Sequence, residues 1–288
     1  MSSAALATVP ANPPTRRFKV LRRASARVGL AMTLAFLALT LLAPLIAPYD
    51  PYDQDLMSAL SPPSWAHPFG ADQYGRDMLS RVLFGTRTAL LAVLVADGLA
   101  LVVGCTLGLV AGFFGGWAEA VIMRLVDMLL AFPYLLLALI IVAALGPGLT
   151  NSMIAIGIVY TPQYARLIRG QVLSIRKADY VRAARALGAS RTRLVLRHVL
   201  PNSFAPILVM ATLQAGSVVV ETAGLSFLGL GAQPPSPDWG ALLADGQSYF
   251  LTAWWIATFP GLAIFLLVLG FNLLGDALRD QFDPRRSQ

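Results

Sequence analysis

The chain has 288 residues, of which 57% are hydrophobic and only 13% charged, whereas a soluble domain carries about a quarter charged residues. That balance excludes a water-soluble globular protein and indicates a polytopic membrane protein. One cysteine, Cys105, and two histidines, His67 and His198, set in different kinds of segment, exclude an intrachain disulfide and argue against a metal site, so a redox or zinc enzyme is not expected.

An apolar helix needs about 20 residues to cross a hydrocarbon layer of roughly 30 Å. Six stretches qualify, at about 28–48, 86–112, 121–145, 149–167, 204–228 and 252–275, the fourth being shorter and more polar. Backbone groups in lipid must be satisfied within their own segment, so these are expected to be helices, and the fold class is an all-α membrane bundle of six transmembrane helices. The first stretch is too long for a signal-peptide core and follows a long leader, and it is read as an uncleaved anchor.

Arginine and lysine orient the bundle, because cytoplasmic loops carry the positive excess. The tail before the first span holds Arg16, Arg17, Lys19, Arg22, Arg23 and Arg27 with no acid, and is placed inside. Alternation then puts 49–85 outside, where Asp50, Asp53, Asp55, Asp72 and Asp77 outweigh Arg76 and Arg81. The segment 231–251 is also outside and has no Lys or Arg. Both termini are expected in the cytoplasm. The resulting organisation is a basic cytoplasmic tail at 1–27, a first transmembrane helix with external loop at 28–85, a core transmembrane domain at 86–277 and a cytoplasmic tail at 278–288.

The cytoplasmic segment between the fourth and fifth spans carries Arg169, Arg176, Lys177, Arg182, Arg185, Arg191, Arg193 and Arg197 against Asp179 alone. Its pattern predicts two short amphipathic helices. Asp179 is placed to cap the first, Val181, Ala184 and Leu187 line one side of it, and Gly188 supplies a left-handed stop. Ser190 is placed to cap the second, which presents Leu194, Val195 and Val199 on one side and Arg193 and Arg197 on another before Pro201 ends it. The arginines serve topology alone, or rest on anionic lipid, or offer a docking surface to a partner. Without aromatic interleaving or a nucleic-acid fold, no nucleic acid partner is expected.

Within the spans, Gly104, Gly108 and Gly112 share one helix face at a spacing that lets two backbones approach closely, for static packing or for sliding. Pro133 and the TPQY at 161–164 are expected to loosen their helices. Ionisable residues at membrane depth are candidates for function. Asp97 lies near mid-membrane, either as a structural hydrogen-bonding group or lining a pathway, and Glu221 lies near the outer end of the fifth span. Arg124 and Asp127 are spaced to pair with each other. No phosphate-binding G-x-x-x-x-G-K-[ST] loop occurs, so this chain is not expected to hydrolyse ATP.

The segment AARALGASRTRLVLRHVLP resembles the cytoplasmic EAA loop of the membrane subunits of bacterial ABC importers. Ala183, Ala184, Gly188, Leu200 and Pro201 match its pattern, while Arg182 stands at the position of the family's Glu. HPFGADQYGRDMLSRVLFGTRTAL at 67–90 and GLSFLGLGAQPPSPDWGALLADGQ at 224–247 resemble the second permease subunit of dipeptide, oligopeptide and nickel importers, and the likeness runs from about 16 to 284. The resemblance implies a type I importer permease in the bacterial inner membrane, sharing its pathway with a homologous permease subunit. It implies two ABC ATPase subunits that bind ATP and Mg, no cofactor in this chain, and an external substrate-binding protein. Ala183, Ala184, Gly188, Arg193, Leu194, Arg197 and Pro201 would couple it to the ATPases, with Asp97 and Glu221 on the substrate pathway. A self-sufficient secondary transporter or channel is the competing reading, although no internal inverted repeat is evident.

Overall fold

The computed structural model describes residues 24–282. Most of the basic N-terminal tail and the last six residues of the C-terminal tail lie outside the described residues. The helices are α1 (Ala24–Ile46), α2 (Met78–Ala92), α3 (Gly98–Phe114), α4 (Gly116–Leu130), α5 (Tyr134–Leu145), α6 (Leu149–Arg176), α7 (Asp179–Ala186), α8 (Arg191–Leu194), α9 (Leu200–Phe227), α10 (Trp239–Gln247) and α11 (Trp255–Phe282). Among the described residues there is no strand, only an isolated bridge between Ala71 and Asp77.

Four described helical runs are long and apolar enough to cross a membrane: Ala24–Ile46, Met78–Phe114, Arg197–Phe227 and Trp255–Phe282. A bent pair, α4 with α5, makes five. The expected fourth span, α6, has 28 residues and ample length, yet it is too polar to qualify. The reason is its position: Ile156, Tyr164, Ala165, Ile168 and Val172 are fully enclosed, so α6 is shielded by protein and needs no continuous apolar surface toward lipid.

Three features differ from the sequence reading. The second span starts at Met78, so a domain boundary at 85 falls inside α2. Its polar first turns hide it from a search for apolar runs, and Asp77 caps it by accepting the Ser80 amide. The third span is not one helix, since α4 and α5 meet at 98°. Pro133 cannot donate a backbone hydrogen bond and keeps Phe132 out of the helical region, which breaks the helix there. Pro201 does not end the second arm of the hairpin. A π-helical turn at Val195–Val199 takes up the misfit, and α8 runs through it into α9.

Close approaches of backbone fix the helix directions. A Cβ on Gly104 would lie 2.5 Å from the Thr161 carbonyl oxygen, one on Gly108 2.5 Å from that of Ala165, and one on Gly112 2.8 Å from Val172 Cβ. Both residue numbers rise together, so α3 and α6 run parallel. Gly29 meets Leu273 while Gly270 meets Met32, and Gly275 meets Leu213 while Gly216 meets Val268, so α11 is antiparallel to both α1 and α9. Ion pairs of Glu119 with Arg169 and Asp127 with Arg166 set α4 antiparallel to α6. The starts of α1 and α9, the end of α11 and the arginine-rich hairpin therefore lie at one end of the bundle, and the segments 47–77 and 228–254 at the other.

Candidate functional site

The hairpin is built by a complete helix stop. Gly188 has φ +84°, its amide bonds the Arg185 carbonyl, and the Ala189 amide bonds the Ala184 carbonyl, the paired closure of a Schellman turn. Ser190 accepts the Arg193 amide at 3.3 Å. The cap of α7 differs from expectation: Ala178 occupies that position without a side-chain bond, and Asp179 is the first helical residue, where its carboxylate pairs with Arg182 instead of the backbone. Val181, Leu194 and Val199 are buried in the chain's own interior. Arg182, Ala183, Arg185, Arg193, Arg197 and Pro201 are exposed, Ala184 is half-buried, and Leu187 is 89% exposed. The exposed surface of the hairpin is thus cationic around Leu187, with Tyr180 also exposed, and Leu187 rather than Leu194 is the leucine it offers.

Beside the hairpin, Arg169 pairs with Glu119 at 2.5 Å, Arg166 with Asp127 at 2.7 Å, and Arg176 donates to the Gly112 carbonyl at 2.7 Å. The expected pairing of Arg124 with Asp127 is not formed. Asp127 turns to Arg166 on α6, because packing of α4 on α6 brings that guanidinium nearer than the neighbour on its own helix. Deeper in the bundle, Asp97 sits in a π-helical turn, Val93–Asp97. It is 6% exposed and accepts a 2.6 Å bond from the Tyr164 hydroxyl on α6. Glu221 on α9 accepts a 2.5 Å bond from the Tyr160 hydroxyl. Asp97 and Glu221 thus each accept from a tyrosine of α6, the two tyrosines lying one helical turn apart.

The opposite end carries a buried polar cluster whose members stand in the sequence only as loop charges. Asp72 is fully buried and accepts from the amides of Tyr74 and Arg76 and from Arg76 Nε at 2.6 Å. Arg81, 2% exposed, places Nε 3.5 Å from the same carboxylate and donates to the Pro51 carbonyl at 3.1 Å. His67 Nδ1 lies 3.0 Å from Asp77, and the Ser80 hydroxyl accepts the Tyr49 amide. Trp239 donates to the Val82 carbonyl and Trp255 to that of Ala71, and Phe69 stacks on Phe259 at 3.9 Å. The two outer segments singled out in the sequence, 67–90 and 224–247, are joined here as one cap. Asp238 caps α10 by accepting the Ala241 amide at 3.1 Å, and burial pushes its carboxyl above the usual range. The visible signal for this cluster is the turn D-x-x-G-R-D with Gly75 at φ +72°, but which charges it buries depends on contacts made far along the chain.

Parallel and antiparallel membrane helices thus pack around a polar central helix, with a cationic hairpin at one end and a folded cap at the other, an arrangement that comparison with known proteins assigns to the transport permeases. The backbone matches a chain of the MetNI methionine ABC transporter, solved in inward-facing form, with a TM-score of 0.58 at 20% identity over 72% of this chain and 98% of that one, so the fold is that of the type I ABC importer permeases. Residues 104–288 match the binding-protein-dependent transport system inner membrane component family, and residues 16–63 match the N-terminal transmembrane domain of oligopeptide transport permease C. The chain belongs to this family of inner-membrane permeases. It is 44% identical over 275 residues to the dipeptide transport system permease protein DppC of Alkalihalophilus pseudofirmus, covering 95% of this chain and 90% of that protein. It is 48% identical over 249 residues to the probable D,D-dipeptide transport system permease protein DdpC of Escherichia coli, covering 86% and 84%.

Proposed function

We propose that this chain forms half of the translocation pathway of an ABC importer for short peptides, driven through its hairpin by separate ATPase subunits. The observation that carries the reading is the likeness, over nearly its whole length, to permeases named for dipeptide and D,D-dipeptide transport. That likeness favours a short peptide over a nickel chelate as cargo. ATP and Mg are bound by two partner ATPases, a homologous permease completes the pathway, and an external binding protein delivers the peptide to the cap formed by 47–77 and 228–254. Both termini and the hairpin face the cytoplasm.

The geometry supports a mechanical route for the coupling. From Arg191 to Phe227 the backbone is continuously helical through α8, the π turn and α9, a rod of about 55 Å at 1.5 Å per residue. A displacement of the hairpin by an ATPase is carried along this rod past α6 and α11 toward the cap. The Asp127 and Glu119 pairs with α6 move α4 with the same body. Alternating access follows when the two permeases rock against each other under that force.

The test is co-purification of the ATPase subunits with tagged chain from membranes. Leu187→Asp places a charge on the exposed face of the hairpin and is expected to abolish capture while membrane insertion and yield stay normal. Capture of the ATPases at the unmodified level by Leu187→Asp would overturn the docking assignment.

A further inference from the structure

One cleft of about 220 Å³ opens between α9 and α11, lined by Gly216, Ser217, Val220, Glu221, Val268 and Asn272. Its chemistry is unlike a lipid-facing surface. Ser217, Val220 and Asn272 are exposed, and a polar residue exposed at membrane depth faces a water-filled pathway or another protein rather than hydrocarbon. One turn beyond Asn272, Asp276 is also exposed, so the polar strip continues along α11 toward the hairpin end.

The cleft is equipped for one kind of ligand. Tyr160 holds one oxygen of Glu221 at 2.5 Å, while the other, Oε2, is shielded from solvent and has no hydrogen-bond partner among the described residues. Burial of an unsatisfied carboxylate oxygen carries a penalty that a ligand donor removes. The Asn272 side-chain oxygen lies on the Gly216 side of the cleft, 3.4 Å from where a Cβ on Gly216 would stand. Hence the missing side chain at 216 keeps that acceptor uncovered. With the Ser217 hydroxyl, which also reaches Tyr160, these line one cleft with up to three acceptors, one of them a carboxylate, the complement of an ammonium group with its three donors. None of the lining residues is basic. The volume is below the roughly 300 Å³ at which closed ligand pockets begin, suited to a contact made in passing rather than to a resting site.

We infer that Glu221, oriented by Tyr160 and assisted by Ser217 and Asn272, is a cation-selective contact on the pathway that takes the ammonium group of the transported solute, in a peptide its free N-terminus. This rests on the transport reading above and adds the chemical class that the permease itself selects.

The experiment uses the complete transporter in membrane vesicles, with Cys105→Ser removing the native thiol and Ser217→Cys supplying a reporter in the cleft. The probes are two methanethiosulfonate reagents of similar size, one carrying a trimethylammonium and one a sulfonate. A carboxylate in contact with the probe is expected to make the cationic reagent react roughly tenfold faster than the anionic one, after correction for their reactivity with a free thiol. Glu221→Gln keeps the shape and an acceptor for Tyr160, and is expected to erase that preference. Equal rates in the Glu221 background, a preference that survives Glu221→Gln, or no reaction with either reagent would each overturn the site. In parallel, Glu221→Gln is expected to raise the KM for dipeptide uptake severalfold without altering ATPase capture, and an unchanged KM would also count against it. Absence of dipeptide uptake by the unmodified complex, with the charge preference intact, would refute the peptide cargo and leave the cation site standing.

Discussion

The seam between α3 and α6 makes the sharpest quantitative prediction. Gly108→Ala would set a methyl 2.5 Å from the Ala165 carbonyl oxygen and 2.9 Å from Ile168 Cβ. Carbon and carbonyl oxygen ordinarily meet at about 3.3 Å or more, so α3 must retreat by about 0.8 Å. The obstacle is backbone, and no rotamer change relieves it. A gap of that size forfeits a quarter to a half of the dispersion energy of the atoms it separates, and overpacking of this kind costs about 1–3 kcal/mol. Gly98, in the same helix, has nothing beyond its own helix backbone and chain neighbours within 4 Å of where its Cβ would stand, so Gly98→Ala gains helix propensity, about 1 kcal/mol, without a clash. Thermal unfolding of the purified protein in detergent, followed by loss of the monodisperse species, is the assay. Gly108→Ala is expected to melt roughly 2–6 °C lower, and Gly98→Ala no lower than the parent. Equal melting of the two variants would refute the close approach of α3 and α6.

The remaining predictions concern the cap and the hairpin. Arg81→Met leaves Asp72 buried with Arg76 as its one remaining cationic partner and orphans the Pro51 carbonyl, at a cost of about 3 kcal/mol; the same melting assay checks it, and an unchanged Tm would contradict the cluster. Gly188→Ala forces a side chain into the left-handed region at a cost of about 1–2 kcal/mol, so ATPase capture should weaken more for Gly188→Val than for Gly188→Asn, and equal capture by all three would argue against the turn. Asp238 has a folded pKa raised above its unfolded value by burial, so its ionised form costs stability, and the cost grows as pH rises from the unfolded pKa through the higher folded one. Asp238→Asn keeps the cap, should be at least as stable as the parent at pH 7, and should lose that advantage below about pH 4; a difference independent of pH would refute the assignment.

What could be read from the sequence follows the distance over which each feature is decided. The apolar runs and the arginine bias mark the spans and their alternation because lipid and topology act on each segment separately. Gly188 and Ser190 are legible for the same reason, as a helix stop and a cap are settled within a few residues. The break at Pro133 is visible as a proline, but its angle depends on how α4 leans on α6. The start of α2 at Met78 is concealed because its first turns are wrapped by the cap and can be polar. Asp179 stands one position beyond the cap its sequence context suggests, and its carboxylate meets Arg182 rather than a free amide. The pairings of Asp127 with Arg166, Asp72 with Arg81 and Glu221 with Tyr160 span 39, 9 and 61 residues, and such partners emerge only when packing has chosen which helices are neighbours. Leu187 and Leu194 look alike in the pattern, yet Leu187 is exposed and Leu194 buried, a difference settled by how each arm of the hairpin packs on the bundle.

The central claim is that this permease works as one part of an ATP-driven assembly, and uptake into proteoliposomes tests it most directly. Vesicles containing this chain, its homologous permease, the two ATPases and the external binding protein should accumulate labelled dipeptide when ATP is present on the ATPase side. Omission of any one component should reduce uptake to the level of empty vesicles. ATP-independent dipeptide or ion flux through vesicles holding this chain alone would contradict the account and favour a self-sufficient transporter or channel.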